Sequence, residues 1–120
     1  MLGYELDDGE CYSTPEPVAL WEILVPCMFE DTKTPVSTKH HKEWDKYVRT
    51  ISPGLTILKP AKGQWIHEDK LYEDRVITVR LTASRSEVEK IVDFTIVHYR
   101  QLAVMAYKIS NEVIIKHAKN

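Results

Sequence analysis

The sequence predicts an α+β fold in which one antiparallel β-sheet is covered on one face by two α-helices. Two observations predict it. Apolar, strand-like segments alternate with two segments of helical periodicity, and each helical segment begins at a serine that can cap a helix. The chain has 120 residues, of which 43% are hydrophobic, so it can form one domain around its own core.

The first half of the chain predicts a strand, a helix and a short strand. Residues 18–29 are apolar and strand-like, but Pro26 cannot donate to a central ladder, which predicts a bend or an edge there. Ser37 caps a helix whose apolar residues recur at helical spacing, and the Ser-Pro-Gly sequence at 52–54 ends it. Residues 55–58 then form the second strand.

The second half predicts a long strand, a second helix and two more strands. Residues 71–83 alternate between apolar and polar side chains, as a strand with one face in the core does. A Ser-x-x-Glu capping box opens a helix over residues 84–100. Residues 102–109 follow as a strand and 112–117 as an added C-terminal strand. The order β-α-β-β-α-β with this addition is the ferredoxin-like plan.

The segment between the second and third strands, residues 54–75, is rich in turn-forming, aromatic and acidic residues. We predict that it is an irregular hairpin in which Gly63 allows a backbone kink and Trp65 clamps the kink. Trp65 is either a stacking surface for a ligand ring or a lid over the core. In the first case this hairpin forms one wall of a pocket between subunits.

Charge is distributed unevenly along the chain. Residues 1–31 contain eight acidic and no basic residues, so all sixteen Lys and Arg residues lie in 32–120. We therefore predict an acidic N-terminal arm, residues 1–17, ahead of a single domain, residues 18–120. The acidic arm either covers a basic surface for an anionic partner or is an ordinary solvated tail.

Spacing encodes neither a redox motif nor a metal site. The two cysteines form no Cys-x-x-Cys pair, and the five histidines lack zinc-site spacing. His40 and His41 are adjacent on the first helix and point about 100° apart, which favours a solvated face. We therefore predict no metal and no cofactor.

The lack of a secretory signal and of a bilayer-spanning run favours a cytoplasmic protein that does not enter a membrane.

Apolar side chains also predict self-association. Both faces of the first and last main strands carry them, whereas two helices can cover only one face of the sheet. A monomer would leave an apolar sheet face in water. We therefore predict a homodimer or a higher oligomer.

Several short elements follow one another in a characteristic order between residues 43 and 81. They are Glu43-Trp44, Pro53-Gly54, Leu55-Thr56, Gly63-Gln64-Trp65 and Glu73. This order resembles the bacterial domain-of-unknown-function family 3574, and a later Tyr-Arg-Gln segment extends the resemblance over about residues 43–107. The resemblance implies a ferredoxin-like fold, supplies no activity, and marks Gly63, Trp65 and Glu73 as positions of interest.

The candidate ligand contacts combine arginines, which suit phosphate or carboxylate groups, with aromatic rings that can stack on a ligand. They are Trp65, Tyr72, Arg75, Arg80, Tyr99 and Arg100. Three other residues are weaker candidates for acid–base catalysis: His67, Glu73 and His98. The acids around His67 favour a solvated turn over a cation or general-base site, because acidic residues are common in turns.

Three classes of function fit these residues. The first is a non-enzymatic, oligomeric module that binds a small anionic, nucleotide-like ligand at a subunit interface. The second is a small enzyme with a His/Glu acid–base pair in a pocket between subunits. The third is a nucleic-acid or protein interaction module, although RNP-like aromatic pairs are missing and the acidic arm disfavours nucleic acid. The sequence favours binding over catalysis.

Overall fold

The computed structural model describes residues 15–31 and 33–119. Most of the predicted acidic arm, residues 1–14, lies outside the described residues. The elements, in chain order, are β1 (Ala19–Pro26), α1 (Thr38–Arg49), β2 (Leu55–Ile57), β3 (Ala61–His67), β4 (Lys70–Ala83), α2 (Arg85–His98) and β5 (Ala106–Ser110). The predicted α+β, ferredoxin-like fold is confirmed. The fifth strand of its sheet is β3, however, and not the added C-terminal strand that the sequence predicts.

The five strands form one antiparallel sheet around β4. One edge of β4 pairs with β1 over residues 76–83, and its other edge pairs first with β3 and then with β2. β5 completes the sheet on the far side of β1, so the order is β2-β4-β1-β5. Because β1 ends opposite Val76, the hairpin of residues 61–75 extends beyond the four-stranded part of the sheet. We call this hairpin the β-arm.

The β-arm corrects the prediction of an irregular hairpin. Its strands pair without a break from Ala61–Val76 to His67–Lys70, and a two-residue turn joins them. Glu68 and Asp69 in that turn both have positive φ, 52° and 62°, the pattern of a type I′ hairpin. Gly63 has no positive φ and sits in the regular ladder opposite Asp74, so it supplies no kink.

The last predicted strands also need correction. The strand expected over residues 102–109 begins only at Ala106, and residues 112–117 form no strand. The Ser110 hydroxyl donates to the Glu112 carbonyl and accepts from the Glu112 N–H. This local turn occupies the backbone groups that would have started a ladder.

Both helices begin at the serines that the sequence predicts. The Ser37 side chain accepts from the His40 N–H, and Ser84 forms a reciprocal capping box with Glu87. The helices share the core with one sheet face: Trp44, Val48 and Ile91 pack against the odd-numbered residues of β1 and β4. We call the opposite sheet face, which carries the even-numbered residues of β1 and β4, the open face. No helix among the described residues has the length and apolarity needed to cross a membrane.

Candidate functional site

A cavity of about 490 Å³ lies where the β-arm, the open face and the segment before β5 meet. Its floor is apolar, which suits a small organic molecule. The lining residues are Leu24, Pro26, Gly63, Gln64, Trp65, Asp74, Val76, Gln101 and 103–106. Gly63 has no side chain, so only its backbone borders the cavity at this position.

Trp65 and Tyr72 form the aromatic end of this site. They lie directly opposite each other in the β3–β4 ladder, so their rings share one face and stack at 4.6 Å between centroids with a 15° tilt. Both side chains are half-buried. Within residues 15–31 and 33–119, neither the indole N–H nor the Tyr72 hydroxyl has a hydrogen-bond partner. The pair therefore offers a flat ring and a free donor.

Asp74 provides the charged group of the cavity. One carboxylate oxygen accepts from the Arg75 backbone N–H at 2.7 Å, and the other has no partner in the described part of the chain. Burial raises the pKa of the Asp74 carboxyl, against the lowering effect of that hydrogen bond. A ligand group that donates hydrogen bonds to this oxygen would replace the water that burial removes.

Gln101 faces Asp74 from the end of α2. The helix closes with hydrogen bonds from Arg100 N–H to Val97 and from Gln101 N–H to Ile96, and Arg100 adopts a positive φ of 52°. This turn brings the Gln101 side chain to the cavity, where its amide nitrogen donates to the carbonyls of Met28 and Tyr99. With the nitrogen held, the amide oxygen remains as an acceptor.

Arg80 lies on the same open face but is occupied by a neighbour. Its Nη2 and Nε atoms donate to one Glu22 oxygen at 2.6 and 3.0 Å, and the Tyr107 hydroxyl donates to the other at 2.7 Å. These bonds join three strands and lower the pKa of Glu22, with Arg80 the main cause and Tyr107 the second. The positive charge of Arg80 is thus neutralised by Glu22 within the same chain.

The other predicted ligand contacts do not assemble around an anion. Tyr99 is fully buried in the core, where burial raises the pKa of its hydroxyl. The Arg100 guanidinium lies 4.4 Å from the centroid of the Phe29 ring. Arg75 is exposed and points to the other face of β4 from Asp74. Of the six residues, the structure brings Trp65 and Tyr72 together.

The three catalytic candidates lie apart. His67 is exposed at the tip of the β-arm, where its Nε2 lies 3.7 Å from Glu68 Oε2. Glu73 is exposed in the middle of the β-arm, where it accepts from Gln64 and pairs with Lys62, and both lower its pKa. His98 lies at the end of α2, stacked on His40. No acid–base pair therefore forms from this set.

Sequence analysis missed Asp74 and Gln101 as site residues. Asp74 lies in an acidic cluster that is typical of a turn, and Gln101 belongs to the Tyr-Arg-Gln segment, to which the resemblance assigns no role. The available signal was parity: Tyr72, Asp74 and Arg80 are all even-numbered residues of one predicted strand and so share a face.

No protein-family model matches the chain, so the resemblance to family 3574 is not confirmed. No curated protein matches it either. Solved structures do resemble it. One is CutA1 from Oryza sativa, with 12% identity, coverage of 89% of this chain and 87% of that chain, and a TM-score of 0.56. Another is the periplasmic divalent cation tolerance protein CutA from Archaeoglobus fulgidus. It has 13% identity, coverage of 82% of this chain and 88% of that chain, and a TM-score of 0.58.

A third similar structure is a phage SAM lyase in complex with S-methyl-5′-thioadenosine. It shares 9% identity with this chain, covers 86% of this chain and 88% of its own, and has a TM-score of 0.63. At these identities the likeness shows the fold alone, an α+β, ferredoxin-like sheet with two helices.

Proposed function

We propose that this chain is a self-associating protein that binds a small heteroaromatic compound, uncharged or cationic, in the open-face cavity. One observation carries the proposal: a ring platform with a free N–H, Trp65, and a partly buried carboxylate with a free oxygen, Asp74, converge on one apolar cavity. A flat ring that stacks on Trp65 and presents N–H groups to Asp74 meets both requirements.

A nucleoside without a phosphate is the ligand class that fits best. An adenine ring supplies the flat surface and an exocyclic amine for Asp74, and an apolar substituent suits Leu24, Pro26 and Met105. The phage SAM lyase, which has a similar fold, holds a compound of this class, S-methyl-5′-thioadenosine. The anionic ligand expected from the sequence finds less support, because the charged group of the cavity is a carboxylate and Arg80 is paired with Glu22.

Calorimetric titration of the full chain with three probes tests this proposal. We expect S-methyl-5′-thioadenosine and adenosine to bind with one site per chain, and adenosine 5′-monophosphate to bind at least about tenfold more weakly because its charged phosphate would lose water against the apolar floor of the cavity. Asp74→Asn is expected to weaken adenosine binding, because it replaces the charged acceptor of the adenine amine by a neutral amide. Glu68→Gln, an exposed acid in the turn of the β-arm that does not line the cavity, is the matched control. Equal or tighter binding of the monophosphate contradicts the proposal, as does failure of all three probes.

Self-association is proposed from the β-arm. Its distal half has no β1 partner, and an isolated two-stranded hairpin is only marginally stable in water. The face of the β-arm away from the cavity carries a cross-strand apolar pair, Ile66 and Leu71, that is 71% and 57% exposed. Covering this pair with a second copy would stabilise the β-arm and hold the cavity wall in place.

A cytoplasmic setting remains part of the proposal, since Cys27 is a free thiol.

Sedimentation velocity tests this association. The wild-type chain, 13.9 kDa as a monomer, is expected to sediment as an oligomer, and Ile66→Asp as a monomer, because a charge at the contact would be desolvated without a partner. Val97→Asp is the control, since Val97 is 76% exposed and belongs to α2, outside the β-arm. A monomeric wild type, or an Ile66→Asp variant that still associates, would refute this interface.

A further inference from the structure

The start of α1 and the end of α2 are joined by a pair of histidines. The rings of His40 and His98 stack at 3.7 Å between centroids with a 12° tilt. His40 Nε2 lies 2.6 Å from the His98 carbonyl oxygen, and His98 Nε2 lies 2.8 Å from the His40 carbonyl oxygen. The two residues therefore hold each other by reciprocal hydrogen bonds across the helices.

These bonds determine which ring nitrogen carries the proton. A carbonyl oxygen only accepts, so each Nε2 must be the donor and must carry the hydrogen. In the neutral ring the lone pair is then on Nδ1. A histidine that binds a metal commonly donates its other N–H to a backbone carbonyl, which fixes the tautomer and the orientation of the ring. Both histidines have this supporting bond already.

A carboxylate lies beside the two rings. Glu43 is one helical turn after His40, and its Oε1 lies 3.7 Å from His40 Nδ1. One ligand atom from each of His40, Glu43 and His98 can be chosen so that all three lie within 4.8 Å of one another. In a tetrahedral zinc site, bonds of about 2.1 Å place ligand atoms about 3.4 Å apart. The half-exposed Glu43 side chain can supply part of the remaining approach. The two rings must also turn out of their stack when an ion binds, because stacked rings hold their in-plane Nδ1 lone pairs nearly parallel and one ion needs them to converge.

From this geometry we propose that His40, Glu43 and His98 form a binding site for a divalent transition-metal ion, with Zn²⁺ as the best match. Two imidazole nitrogens and one carboxylate oxygen are a ligand set that Zn²⁺ accepts, and they leave its fourth position for water. The site is separate from the open-face cavity, with which it shares no residue. His41 stays outside it, because its Nδ1 is hydrogen-bonded to the Tyr99 hydroxyl at 2.8 Å.

Calorimetric titration of the full chain with Zn²⁺ alone tests the site. We expect one ion per chain in the wild type and binding at least about tenfold weaker in Glu43→Gln, since loss of even an outer-shell partner costs about that much. Glu43 makes no hydrogen bond to the rest of the described chain, so this change should leave the fold intact. His98→Phe keeps a stacked ring, removes the ring nitrogens, and is expected to abolish binding.

Two controls separate this site from other donors. His67→Ala removes an exposed histidine on the β-arm and is expected to leave the zinc affinity unchanged. A Cys11→Ser, Cys27→Ser double variant should also bind normally, and Co²⁺ in the wild type should give ligand-field bands without the charge-transfer band of a thiolate. The proposal is overturned by the absence of saturable binding, by binding that survives both Glu43→Gln and His98→Phe, or by a thiolate band.

Discussion

Trp65→Ala is expected to weaken binding of S-methyl-5′-thioadenosine by about 10- to 100-fold while changing the free energy of unfolding by about 1 kcal/mol or less. Stacking of a base on an aromatic side chain contributes about 1–3 kcal/mol, and alanine removes the whole platform and its free N–H. The cost to stability is small because Trp65 is half-buried on the β-arm, where its main intramolecular contact is the stacked Tyr72 ring. Calorimetric titration and urea denaturation measure the two effects on the same samples.

Lys62→Ala is the matched control for this experiment. Lys62 lies on β3 like Trp65, points to the other face of the β-arm and has a side chain that is 68% exposed, so its truncation should leave the nucleoside affinity unchanged. Equal weakening by both variants would mean that disturbance of the β-arm, rather than loss of the ring, reduces binding. A Trp65→Ala chain that binds as well as the wild type would remove Trp65 from the site.

The parts of the fold that the sequence predicts correctly are those with a local physical cause. Ser37 and Ser84 cap both helices because their side chains bond backbone N–H groups three residues later, which needs no tertiary information. The alternation in residues 71–83 likewise determines which side chains of β4 enter the core. The ferredoxin-like order follows from these segments, and the structure confirms it.

The strands that were misplaced lack such a local signal. The β3 segment mixes lysine, glycine, glutamine and tryptophan, so its β-structure comes from pairing with β4 and from the turn at Glu68 and Asp69. Residues 112–117 have the composition of a strand but, beyond the Ser110 turn, pair with no other strand in the part of the chain that the structure describes. Strand propensity indicates that a segment can pack in a sheet, whereas hydrogen-bonded pairing with a neighbouring strand determines whether the segment becomes a strand.

The sites illustrate the same limit at longer range. Sequence spacing compared His40 with its neighbour His41, but the partner of His40 is His98, 58 residues away at the end of the other helix. The sequence offers Arg80 as a candidate ligand contact, whereas the register of β1 with β4 places Glu22 directly opposite it. In both cases the decisive neighbour is set by how elements pack, which a single sequence does not state.

Trp44→Ala is expected to lower the free energy of unfolding by about 3–5 kcal/mol, the range for removing a fully buried aromatic side chain. Trp44 is 1% exposed and packs between α1, α2 and the sheet. Its indole N–H donates to the Thr95 hydroxyl at 2.8 Å, and that hydroxyl in turn donates to the Ile91 carbonyl. Alanine leaves a cavity and breaks the link between the helices.

Urea denaturation of Trp44→Ala, Trp44→Phe and Trp65→Ala at one protein concentration measures this effect, because association makes stability depend on concentration. Trp44→Phe keeps most of the ring but loses the N–H, so we expect a smaller loss of about 1–2 kcal/mol. If Trp44→Ala cost no more than Trp65→Ala, the core would not lie between the helices and the sheet as described. A large cost at Trp44 with a small one at Trp65 would separate the tryptophan that stabilises the fold from the one available to a ligand.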